Sequence, residues 1–71
     1  MLAADQVLDQ YFLESRCQFI EIAAMLDRYD RANGDGDERL TLLYKALEIL
    51  SERGAGDNRA EQLLNLFTDP E

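Results

Sequence analysis

Apolar residues in the first half of the chain recur at alternating spacings of four and three. Leu8, Phe12, Phe19, Ile22, Leu26 and Tyr29 keep that rhythm, interrupted only by Ser15. This is the heptad signature of a helix with an apolar seam. Tyr11, Ala23 and Met25 flank the seam. A second line, Leu13, Cys17, Ile20 and Ala24, lies well around the same helix at about 100° per residue. Between the two runs a narrower strip with Asp9, Arg16 and Asp27, while Gln10, Glu14, Gln18, Glu21 and Arg28 face outward. An ordinary surface helix has one apolar stripe. Two stripes predict cover from two directions.

The same periodicity, with its punctuation, predicts three helices and no strands. The first spans 5–32, with Asp5 and Asp9 early and Arg28 and Arg31 late to complement the macrodipole. Asn33-Gly34 supplies a left-handed stop. The second spans 37–53, capped by Asp37, or by Asp35 in a capping box with Glu38, and ended by Gly54. The third spans 58–67, with Asn58 and Glu61 in capping-box spacing, and Thr68-Asp69-Pro70 blocks its continuation. Leu40, Leu43, Leu47 and Leu50 form one seam of the second helix, and Leu42, Ala46 and Ile49 another. The third offers Ala60, Leu63, Leu64 and Phe67, with Leu66 to the side. At 1.5 Å per residue the three measure roughly 42, 24 and 15 Å, so the second and third, end to end, match the length of the first.

Size turns this pattern into an expectation about assembly. Seventy-one residues form a single domain, 1–71, that buries only about 60% of its unfolded surface, near the lower limit for an independent core. Small domains offset the ordering cost with disulfides, metal or association. Cys17 has no partner for an internal disulfide. The expected fold is therefore all-α, a long helix packed against two shorter ones (a helical hairpin plus a short third helix), forming a helical bundle as a homodimer. One set of seams closes the core within the chain. The other pairs two copies, giving four principal helices plus the short third helices. Leu8, Phe12, Phe19, Ile22 and Leu26, with Leu13, Cys17 and Ile20, are the core and interface candidates.

Composition removes several chemistries. There is no His, one Cys, and a net charge of −8 from fifteen acids against seven bases. A Cys/His zinc site and a His-based triad have no residues to build them. Strong acidity argues against nucleic-acid and anionic-membrane contact. No apolar run approaches the ~20 residues of a membrane span, and Met1-Leu2-Ala3-Ala4-Asp5 lacks the features of a secretory signal. A lone thiol suits the cytoplasm.

Several features merit a chemical reading. Asn33, Asp35 and Asp37, with Asp30 and Glu38, gather oxygen-bearing side chains around Gly34 and Gly36. Setting Gly36 as the sixth position of a calcium loop puts Asn33 and Asp35 at positions 3 and 5, but Arg31 and Leu42 at the anchoring positions 1 and 12. An interhelical turn explains the segment better. Glu14 with Glu21, Glu48 with Glu52, and Asp27 with Asp30 lack the spacing of a bundle metal site, and read as solvated faces. Arg16, between two apolar stripes, calls for a carboxylate on another helix or another subunit. Cys17 reads as a small apolar seam residue, and Tyr11, Tyr29 and Tyr44 as seam edges whose hydroxyls reach water.

The sequence thus favours a non-enzymatic, homodimeric interaction module, without a cofactor and with room for a further, unidentified protein partner. The competing reading is a carboxylate-based divalent-metal protein or enzyme whose site assembles only across the dimer.

Overall fold

A computed structural model describes residues 2–54 and 56–68. The described residues form three helices and no strand: α1 (Ala4–Arg31), α2 (Glu38–Ser51) and α3 (Arg59–Phe67). Two compact units divide the chain, Met1–Gly34 and Asp35–Glu71.

In the first unit, α1 begins one residue ahead of the expected start. Ala3 occupies the N-cap position and has no side-chain acceptor, but its backbone N–H donates to Gln6 Oε1 at 2.9 Å. That is one half of a capping box. The other end closes in a Schellman motif. The Gly34 N–H donates to the Tyr29 carbonyl (3.2 Å) and the Asn33 N–H to that of Asp30 (3.0 Å). The left-handed residue is Asn33, at φ 59°, and not the glycine after it. Gly34 has a different task. A Cβ there would fall on the ring of Tyr29, so its absence lets the ring lie against the turn. The Tyr29 Oη is consequently buried without a hydrogen-bond partner among the described residues, which corrects the expectation that it reaches water.

In the second unit, Asp37 is the cap of α2, its carboxylate accepting from the Arg39 backbone N–H at 2.8 Å. The helix stops at Ser51, two residues short of the expected end, and Glu52 is extended (φ −76°, ψ 108°). Its carbonyl, turned out of the helix, accepts from Arg59 Nη2 at 2.6 Å. A contact from the next helix, rather than Gly54, marks this end. Of the second break, Gly54-Ala55-Gly56-Asp57, Ala55 lies outside the described residues, as do Asp69 and Pro70 at the stop expected after the third helix.

α2 and α3 pack against each other, so the end-to-end arrangement suggested by their lengths is not the one adopted. Ala46 is buried, and a methyl side chain suits a close helix–helix approach. Leu40, Leu42, Leu43, Leu47 and Ile49 of α2 are half-buried, so both of its lines are partly covered. On α3 the covered face is Arg59, Gln62, Leu63 and Leu66, while Ala60, Leu64 and Phe67 are exposed. This face shares Leu63 with the apolar line expected there and is centred about 100° away from it, at 100° per residue. Anchoring Arg59 on the Glu52 carbonyl turns that edge of α3 inward. Nor does the expected capping box form: Asn58 Oδ1 accepts from Gln62 Nε2 (2.8 Å), leaving its side chain off the helix N–H groups.

Candidate interaction surface on the first helix

The surface that needs explaining is α1 itself. No residue of this 28-residue helix is buried. On the heptad seam Leu8 is 64% exposed, Phe12 63% and Phe19 54%, with Tyr11 exposed beside them. Toward the C-terminus Ser15, Ile22, Leu26 and Tyr29 are half-buried. On the second line Leu13 is 67% and Ile20 56% exposed, Cys17 is an exposed free thiol, and Ala24 is half-covered. At 100° per residue the two lines are centred about 160° apart, on nearly opposite sides of the helix. Isolated exposed leucines are ordinary, but contiguous apolar patches mark interaction surfaces.

Arg16 is exposed and makes no ion pair or side-chain hydrogen bond among the described residues. Numbering the seam as a heptad, with Leu8, Ser15, Ile22 and Tyr29 at d and Phe12, Phe19 and Leu26 at a, places Arg16 at e. That flanking position meets a partner helix. Cys17 falls at f, facing away from whatever covers the seam.

The three oxygen-bearing residues singled out for metal are put to other uses, except one. Asn33 supplies the left-handed turn of the α1 cap. Asp37 caps α2 and also binds the Arg39 guanidinium in a fork, Oδ1 to Nε at 3.0 Å and Oδ2 to Nη2 at 2.7 Å. Those side-chain bonds, then the backbone bond from Arg39, lower its pKa to about 2. Asp35 is exposed. Among the described residues, no three Asp, Glu or Cys side chains come together in a way that would hold a metal ion. A hollow of about 230 Å³ in the second unit is lined by Glu48, Ile49, Glu52 and Gln62. It pairs two acids with a neutral amide and an aliphatic chain.

Two interactions went unrecognised in the sequence. The Asp37–Arg39 fork was legible in principle, since an acid at an N-cap and a base two residues on are in reach. The Arg59–Glu52 contact had no local signal, because it joins a side chain to a backbone carbonyl freed by the helix end. No described helix is long and apolar enough to cross a membrane. The chain matches no protein-family model, no curated protein and no solved structure.

Proposed function

We propose that this chain is a non-enzymatic interaction module that works as a homodimer, with the heptad seams of two α1 helices pairing in a helical bundle. The observation that carries this reading is the exposure of Leu8, Phe12 and Phe19 on one continuous seam. Aromatic side chains bring about 150–250 Å² each, so Phe12, Phe19 and Tyr11 hold on the order of 300 Å² of uncovered surface per chain at the observed exposures. Two copies double that. Adding Leu8 and the uncovered parts of Ile22, Met25 and Leu26 brings the total to the ~1,000 Å² that a specific interface requires.

In this reading Arg16, at its flanking position, pairs with a carboxylate of the other copy and sets register. Arg16→Met then shifts the monomer–dimer equilibrium toward monomer, and an unchanged equilibrium would count against the pairing. The single thiol fits a reducing compartment, and the cytoplasm is the setting we assign.

Mass action tests the proposal. Stability that depends on association rises with protein concentration. Thermal melts followed by circular dichroism between about 1 and 100 µM should show a midpoint that climbs with concentration. A midpoint independent of concentration would leave the chain a monomer and the reading without support.

A further inference from the structure

We propose that the second apolar line of α1, on the side away from the heptad seam, is a docking face for a basic amphipathic helix. This rests on the homodimer reading to the extent that the seam is occupied by the other copy. The line holds Leu13, Cys17, Ile20 and Ala24, of which Leu13 and Ile20 are more than half exposed and Cys17 is exposed. Spacings of four, three and four are those at which a helix presents anchors to a groove-binding partner.

Charge selects the occupant. Asp9 and Asp27 border the line on one side, Glu14 and Glu21 on the other, all exposed. Three arginines share this side of α1, Arg16 and Arg28 at its borders and Arg31 on the line itself, one heptad beyond Ala24. The seam pairing engages Arg16, and Arg28 and Arg31 lie in the last turn of α1, where they complement the helix dipole. The stretch from Asp9 to Glu21 is left with acids on both sides of an apolar strip. A helix with Leu- or Ile-type anchors between Lys and Arg rails is its complement, because long basic side chains can lay their stems on apolar surface and carry their charge to the bordering carboxylates. A second copy of this acidic chain would instead bring carboxylate against carboxylate along these borders. Complementary charge of this kind discriminates between partners and speeds encounter.

Cys17, the chain's single cysteine, reports directly on this face. The full chain is mixed with an 18-residue Leu/Lys peptide of helical amphipathic pattern, or with its Leu/Glu counterpart, and alkylation of Cys17 by a maleimide is timed. Light scattering on the same samples gives the oligomeric state. At about nine-tenths occupancy the Leu/Lys peptide should slow alkylation about tenfold, and the effect should fade as salt is raised. The Leu/Glu peptide should leave the rate unchanged. Leu13→Ser with Ile20→Ser removes two exposed anchors, and should weaken Leu/Lys binding at least about tenfold without loss of helix by circular dichroism. Equal protection by both peptides, or by neither, overturns the proposal. So does a dimer in which Cys17 is already shielded without peptide, since the second line would then be the dimer interface. A monomer whose Cys17 is protected by Leu/Lys alone refutes the homodimer and leaves this docking face standing.

Discussion

Replacing Phe12 by alanine removes the most consequential exposed ring on the seam. About 200 Å² of aromatic side chain, 63% of it uncovered, gives each copy roughly 125 Å² to bury on pairing. At about 25 cal/mol per Å² that is about 3 kcal/mol, of which alanine's methyl group keeps a part, leaving about 2–3 kcal/mol per copy. A homodimer carries the change twice, so Phe12→Ala should cost about 4–6 kcal/mol of association. The dissociation constant then rises about a thousandfold to ten-thousandfold. Sedimentation velocity over a dilution series reads that constant directly. Phe12→Leu retains most of the apolar area and should fall between wild type and alanine. Gln10→Ala, on the outward face, should leave the constant unchanged. Because Phe12 is largely uncovered in the single chain, its loss should not unfold the monomer. A Phe12→Ala constant within about threefold of wild type would refute the assignment of this seam to the interface, since it would mean less than about 0.7 kcal/mol for two rings.

Other perturbations test the units separately. Ala46→Leu forces extra volume into the contact between α2 and α3 and should cost about 1–3 kcal/mol in urea unfolding, whereas Ser51→Ala at the end of α2 should cost less. Asn33→Ala places a methyl-bearing residue in the left-handed region and should destabilise the α1 cap by about 1 kcal/mol, while Asn33→Gly should be neutral or stabilising; the same thermal melts distinguish them. Asp37 has a folded-state pKa below its unfolded value of about 3.8, so its contribution is complete above that pH and is lost as pH falls toward about 2. Asp37→Asn retains a capping oxygen without the charge. Its helical signal should therefore lack the decline between about pH 4 and 2 that wild type shows from this residue.

Helix existence was readable because the apolar spacing, the N-cap acid of α2 and the Asn-Gly stop act within a few residues of one another. The start of α1 and its final turn fell within a residue of expectation for that reason. What could not be read arose from contacts across the chain. Glu52 leaves α2 with its carbonyl bonded to Arg59, and α3 lies so that Leu64 and Phe67 face out while Gln62 is partly covered. Periodicity specifies which residues share a face, not which of two neighbouring faces a tertiary contact will select. Asn33 and Asp37 illustrate a related ambiguity, since oxygen-bearing side chains that suit a cation also suit a helix end. The backbone around them, a left-handed residue at one and an N-cap at the other, settles their local roles. On α1 the two apolar lines were fully legible, and the structure adds the extent to which each is uncovered.

The mass of the wild-type chain in solution tests the central claim most directly. Sedimentation equilibrium at about 50 µM, well above the range in which a specific complex dissociates, should return twice the 8.1 kDa of one chain. A single species of 8.1 kDa at that concentration would contradict the account.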